Sequence, residues 1–296
     1  MSVHQRIAIT GASGLIGTAL VGHLKAEGHT VQRLVRRTPV GADEVQWDPQ
    51  TGFVDLEPLR GVDAIIHLAG VGVGDKRWNK KYKSEILNSR LLGTTAIAHA
   101  VAELKPQVFI SASAIGWYGE SGNRAVVETD RAGDDFLAAV CREWEGAADL
   151  AGDTRTVKIR TGLVLDPTGG ALGKMLPLFR LGLGGKMGNG KQWWSWITLH
   201  DQIRAIVFAL ENPISGPVNL TAPNPVTNQE FTSALARAMH RPALFPVPGI
   251  ALKIALGGFS SEILGSKKVI PHALQEAGFT WDYPHISEAL GKLVED

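Results

Sequence analysis

One cysteine in 296 residues rules out a disulfide within the chain and fits a reducing compartment. Net charge is also scarce. With 30 Lys and Arg against 29 Asp and Glu the formal balance is +1, which gives no electrostatic reason to expect nucleic acid or an anionic membrane as partner. No apolar run approaches the roughly 20 residues that a membrane span needs. Only residues 1–5 precede the first apolar strand, too few for a cleavable signal. No His/Cys group has the spacing of a metal site, so no metal is expected. What remains is a cytoplasmic protein working on a small-molecule substrate, with no nucleic acid and no membrane involved and a homodimer left open. The length is enough for one large core or two fused lobes.

What the chain does have is glycine at a telling place. The apolar strand Arg6-Ile7-Ala8-Ile9-Thr10 must turn sharply into an apolar-periodic helix from Leu15 to Leu24, and the turn reads Gly11-Ala12-Ser13-Gly14-Leu15-Ile16-Gly17. Gly11 and Gly14 permit a tight turn and a close approach of backbone to a pyrophosphate, and Gly17 lets the helix pack closely on the strand. The N–H groups from Ser13 to Gly17 open the helix with a partial positive charge. This is a phosphate cradle for a dinucleotide.

The second strand, Thr30 to Val35, ends in Arg36-Arg37. An NAD site usually places an acid about 20 residues beyond the first glycine, for the ribose 2′-hydroxyl, whereas an NADP site puts arginine there for the 2′-phosphate. No acid occurs between Glu27 and Asp43, so the reading is NADP(H), held by Arg36 and Arg37; a solvated basic strand end is the plain alternative.

Further along, residues 44–55 read as strand, turn at Asp48-Pro49-Gln50-Thr51-Gly52 and return strand. Val62 to Gly70 is a buried parallel strand whose end, Leu68-Ala69-Gly70, should run beside the cofactor. His67 inside it is a core residue or, less expectedly, a proton carrier. Helical periodicity runs from Trp78 to Leu104, then strand 108–110, a helix through Phe136 to Ala147, and strand 156–160. Five alternations of strand and helix give an α/β fold, a Rossmann-type doubly wound parallel sheet. We place the nucleotide-binding domain at 1–165 and a smaller α-rich substrate lobe at 166–296, with a C-terminal helical part at 247–296. Strands near 155–160 and 217–221 and helix 201–211 should return to the sheet. The stretch 182–190, rich in glycine and followed by Trp193-Trp194-Ser195-Trp196, suits a lid over a ligand or a surface loop packed by its own tryptophans. Cys141 lies on the apolar face of its helix, as a buried structural thiol would.

Several of these stretches together resemble the extended short-chain dehydrogenases/reductases: the glycine turn, Leu68-Ala-Gly70, Ser111-Ala-Ser113 with Tyr118-Gly119, Arg160, and Trp196-Ile-Thr-Leu-His-Asp201. More narrowly, Arg77-Trp78, Ser89-Arg90, Gly173-Lys-Met-Leu-Pro177, Arg180 to Gly185 and Lys268-Val-Ile-Pro271 are similar to the YfcH-type branch of NAD(P)-dependent sugar-nucleotide epimerases, which carries its own C-terminal domain of unknown function. The resemblance implies NADP(H) binding and an epimerase or oxidoreductase acting on a small polar substrate, with a nucleotide sugar among the candidates. It also exposes a departure. The Tyr-x-x-x-Lys pair that would move a proton as nicotinamide moves a hydride is replaced by Leu137 and Cys141. Ser113 and Tyr118 are then the remaining catalytic candidates, and a binding module without turnover is the rival reading. Glu85 and Arg90, on one helix beside the crevice in this branch, pair either to hold cofactor phosphate or ribose or as a plain surface ion pair.

Overall fold

The computed structural model describes residues 4–295. In chain order it contains β1 (Arg6–Thr10), α1 (Leu15–Ala26), β2 (Thr30–Val35), β3 (Glu44–Asp48), β4 (Phe53–Val54), β5 (Ala64–His67), α2 (Lys80–Leu104), β6 (Val108–Ala114), β7 (Ala125–Val126), α3 (Phe136–Ala148), β8 (Arg155–Thr161) and β9 (Leu163–Asp166). There follow α4 (Gly170–Arg180), β10 (Trp193–Trp194), β11 (Trp196–Thr198), α5 (Leu199–Glu211), β12 (Gly216–Leu220), β13 (Val226–Thr227) and α6 (Asn228–Ala238). The C-terminal part adds α7 (Gly249–Leu256), α8 (Ser260–Leu264), β14 (Lys268–Val269), α9 (His272–Glu276) and α10 (Ile286–Glu295).

Eight strands form one sheet in the order β12-β8-β6-β5-β1-β2-β3-β4, parallel throughout except for the β3–β4 hairpin. Its central strands β1, β5 and β6 are buried on both faces, which is why Ile7–Ile9, Ala64–Ile66 and Val108–Ile110 read as apolar runs, whereas β2, β3 and β8 interleave polar residues. Ile7 and Ile9 point into a core shared with α1 and α5, while Ala8 between them points into the opposite core with α2. Strand β8 pairs with β6 and β12 with β8, at one edge of the sheet. A third core, built around Leu172, Phe179, Trp196, Phe231 and Leu290, belongs to the C-terminal lobe.

Helix ends are set by short local devices. The Asn79 side chain accepts from the Tyr82 N–H and starts α2, and Asp135 does the same for α3. Lys105, left-handed at φ 50°, ends α2 one residue before Pro106. The chain leaves β1 in one direction toward β2 and in the other toward β5, so the order reverses between these two strands. A crevice opens there at the carboxyl ends, where ligands of open α/β sheets bind.

Candidate active site

The crevice is a cleft of about 1310 Å³ lined by Gly11–Gly14, by Arg33–Arg37 at the end of β2, and by Leu68–Gly72 after β5. Glu44, Trp47, Pro49 and Gln50 close one end. Asp75, Lys81, Ser84, Glu85, Asn88 and Ser89 close the other. Gly11 is left-handed at φ +69°, and a Cβ there would stand 2.8 Å from the Leu68 carbonyl carbon. Helix α1 has no side-chain cap and no acid in its first turn, and beyond the Gly14 N–H, which donates to the Gly11 carbonyl at 3.0 Å, its leading N–H groups take no protein acceptor among the described residues. A Cβ on Gly14 would meet only the Gly11 carbonyl oxygen, at 3.4 Å. These features fit a dinucleotide pyrophosphate. Leu15 and Ile16 contribute through the backbone alone, since the Leu15 side chain packs against Gly169 and Gly170 and Ile16 packs into the core.

At the β2 end the two arginines differ. Arg37 grips Glu44 bidentately at 2.6 and 2.7 Å, and Arg33 reaches both Asp43 and Glu44. These pairings hold the Asp43 and Glu44 carboxyls down at about 2, chiefly through the hydrogen bonds from Arg33 and Arg37 respectively. Arg36 is exposed and takes no protein partner among the described residues. Glu44 lies just beyond the acid-free stretch between Glu27 and Asp43, and the turn before β3 brings it back to the end of β2. Its carboxylate is consumed by arginines and by the Val40 N–H rather than offered to a ribose.

The wall at Leu68 and Ala69 is fixed from behind. Both N–H groups donate to the Thr10 hydroxyl oxygen, at 3.1 and 3.2 Å, which leaves the hydroxyl proton to His67 Nδ1 at 2.7 Å. His67 therefore accepts at Nδ1, carries its proton at Nε2, and lies fully buried edge-on to Trp47. Burial pulls its pKa down to about 3. It is a core residue that holds the cofactor wall, and it is unsuited to carrying protons. The unfolded chain takes up this proton near pH 6.5 and the folded chain only near 3, so stability should fall with falling pH between them, by up to about 1.4 kcal/mol per pH unit. Thermal melts at pH 7 and pH 5 test this: His67→Asn should lose less melting temperature on acidification than the parent, and equal losses would refute the assignment.

The pairing of Glu85 with Arg90 does not form. Arg90 donates to the Val71 and Ile86 carbonyls, stacks on Trp144 at 4.8 Å and lies directly behind Gly70. Its burial lowers its pKa. Glu85 instead meets Lys76 at 3.5 Å. Arg90 thus braces the wall from outside the cleft, while Glu85 lines it.

Ser113 and Tyr118 also stand elsewhere than their strand order suggests. The Ser113 hydroxyl donates to Glu145 at 2.6 Å, and Glu145 takes a bidentate grip from Arg160 at 2.8 and 2.9 Å. Arg160 also donates to the Tyr118 hydroxyl oxygen at 3.1 Å, and Tyr118 donates to Asn219 at 2.7 Å. Tyr118 is 3 % exposed, and desolvation pushes its pKa up to about 12 despite Arg160. Neither residue lines the cleft. Their protons are spent on neighbours, and the expectation that they hold a substrate oxygen has no geometric support. At the positions of the missing dyad, Leu137 sits in an apolar cluster with Trp78, Val71, Val73 and Phe259. Cys141 is buried with its thiol pushed up to about 12, as a structural thiol should be. Glu145, Asn219 and Glu128, whose carbonyl accepts from Arg160 and whose carboxylate accepts from the Asn219 N–H, carry no local signature in the sequence; the one signal that calls for them is a charge, Arg160, inside a buried strand, costly unless paired.

The profile of the NAD dependent epimerase/dehydratase family matches residues 7–138, and that of a domain of unknown function, DUF1731, matches 247–293. An epimerase family protein of Mycobacterium leprae is 46% identical to this chain, over 96% of it and 94% of the relative. The chain belongs to this epimerase family. The human member, SDR39U1, is 36% identical over 98% of this chain and 100% of its own length. The crystal structure of human SDR39U1 (isoform 2) with NADPH superposes with a TM-score of 0.91 at 34% identity, covering 98% of this chain and 99% of that one. MoeE5 in complex with UDP-glucose and NAD shares the fold, with a TM-score of 0.77 at 20% identity over 98% and 97% of the two chains. Family membership confirms the atypical extended short-chain dehydrogenase/reductase resemblance and the Rossmann-type sheet.

The glycine-rich stretch is no free lid, because it runs alongside 245–247 with bonds from Phe245 N to the Gly184 carbonyl and from Val247 N to the Lys186 carbonyl. A Cβ on Gly185 would collide with the Phe245 carbonyl oxygen at 1.9 Å. Among the described residues, His200, Asp201 and Asp282 gather as a metal site might. However, Arg204 already stands between both carboxylates at 2.9 and 3.1 Å, and the Asp282 and Tyr283 N–H groups occupy Asp201.

Proposed function

We propose that this epimerase family member binds NADP(H) in the sheet-edge cleft and uses it on a small polar substrate, a nucleotide sugar or a related carbonyl compound, seated between the sheet and the C-terminal lobe. The observation that carries the cofactor choice is the contrast at the end of β2: Glu44 is neutralised by Arg33 and Arg37, and Arg36 is left exposed for a 2′-phosphate. NADPH bound to human SDR39U1 supports the same reading. When bound, the dinucleotide would supply or accept a hydride. The chain's own part is to hold it and to move a proton. With Ser113 and Tyr118 sealed, that proton role falls to groups lining the cleft, of which Asp75, Lys81 and Glu85 are the titratable ones at the end away from Arg36. The basic run Lys76 to Lys83 beside them suits a phosphate-bearing substrate.

A second reading, binding without turnover, is favoured by the apolar cluster around Leu137 and the sealed tyrosine. Calorimetric titration with NADPH and NADH, followed by a screen for NADPH oxidation or epimerisation across carbonyls and nucleotide sugars, separates the two. Arg36→Ala should weaken NADPH roughly 10- to 100-fold and leave NADH nearly unchanged. Equal affinities in the parent would sink the NADP(H) assignment. Silence across the whole substrate screen would favour the second reading.

A further inference from the structure

Overall neutrality hides a strong local asymmetry on the C-terminal lobe. The stretches 178–191 and 241–256 contain no acid and carry Arg180, Lys186, Lys191, Arg241 and Lys253. They run side by side. Arg241 donates to the Arg180 carbonyl, and the pairing of 184–188 with 245–247 continues the contact to the start of α7. The same two stretches hold seven of the eleven exposed large apolar side chains among the described residues. Leu178, Leu181 and Leu183 stand 51, 72 and 49 % exposed. Across the seam are Leu244 and Phe245, then Ile250 and Ile254, one turn apart on α7 with Lys253 beside them. An apolar ridge of this extent on a single chain calls for a partner.

We infer that this ridge docks the protein on the surface of an anionic phospholipid bilayer, the apolar side chains entering the headgroup boundary and the five cations meeting lipid phosphates. The charge decides the occupant. Two copies of the chain apposed through this ridge about a two-fold axis would set one cationic stretch against another, with no acid in either to pair with Arg180, Arg241 or Lys253. A bilayer that is negative at its surface and apolar beneath matches both components at once. No helix of the described residues is long and apolar enough to cross a membrane, so the contact is peripheral.

Co-flotation of the full chain with vesicles tests this, comparing phosphatidylcholine alone with a phosphatidylcholine and phosphatidylglycerol mixture. Recovery should be high on the anionic vesicles at low salt, low on the neutral ones, and sharply reduced in high salt. Ile250→Asn/Ile254→Asn and Arg241→Gln/Lys253→Gln should each lower binding roughly tenfold or more while leaving the melting curve unchanged, since all four side chains are exposed. Absence of binding to anionic vesicles, equal binding to both compositions, or unimpaired binding by both variants would overturn the proposal. So would a stable dimer in solution that both variants dissociate, because the ridge would then be a self-interface.

Discussion

Arg160→Leu should cost the fold about 3–5 kcal/mol, a large fraction of the roughly 5–15 kcal/mol that separates a folded domain from its unfolded chain. Arg160 is 2 % exposed and Glu145 5 %, so removing the guanidinium strands a carboxylate that has only the Ser113 hydroxyl left to it. It also removes a donor from the Tyr118 oxygen and the stacked cation from the Trp117 ring, 3.9 Å away. The double variant Arg160→Leu/Glu145→Leu should recover much of the loss, because an apolar pair of similar bulk escapes the desolvation penalty. Tyr118→Phe, leaving Asn219 Oδ1 without its donor, should cost about 1–3 kcal/mol. Urea melts of the four proteins measure these differences. An Arg160→Leu variant within 1 kcal/mol of the parent would show that the network is not structural, and would reopen Tyr118 as a group free for chemistry.

The second large effect separates two glycines of one motif. Gly14→Val should lower NADPH affinity by on the order of a hundredfold or more with little change in melting temperature, while Gly17→Ala should damage the fold itself. A side chain at 14 has extended backbone and meets only one protein atom, at 3.4 Å, so its bulk falls in the cradle. At 17 even a methyl group would lie 2.1 Å from the Gly11 carbonyl oxygen and 2.9 Å from the Ala12 Cα, both backbone atoms that cannot swing aside. Calorimetry and thermal melts on the pair decide it. Normal NADPH binding by a folded Gly14→Val would remove the phosphate site from this turn.

These glycines illustrate what a sequence reveals. The central strands β1, β5 and β6 announce themselves within four to seven residues, because burial on both faces demands an apolar run. The glycine turn sits between two such signals and is read from its neighbours alone. The hairpin of β3 and β4 is likewise local, with Asp48 capping its own turn through the Gln50 N–H. The catalytic candidates failed for the opposite reason. Ser113 and Tyr118 do follow a strand toward the crevice, but what seals them lies 32 and 101 residues away, at Glu145 and Asn219. Arg37 looked free because Glu44 returns only through the turn before β3, and the glycine-rich stretch looked loose because the segment that pins it begins near Leu244. Contacts across long loops carry no local composition, so function read from position along a strand is the part most exposed to error.

The buried network has one more consequence, in the order of synthesis. Asn219, which receives the Tyr118 proton, is itself held by the Ile270 carbonyl, and Glu128 accepts from the Ala273 N–H, 145 residues further on. Strand β14 completes the same corner by pairing with β7. A ribosome delivers the first half of this chain long before those residues exist, so Arg160, Glu145 and Ser113 can already pair while Tyr118 and the Glu128 carboxylate still wait for Asn219 and Ala273. Completion of this corner, though not of the Arg160–Glu145 pair, is thereby tied to arrival of Asn219 and of the segment from Lys268 to Ala273.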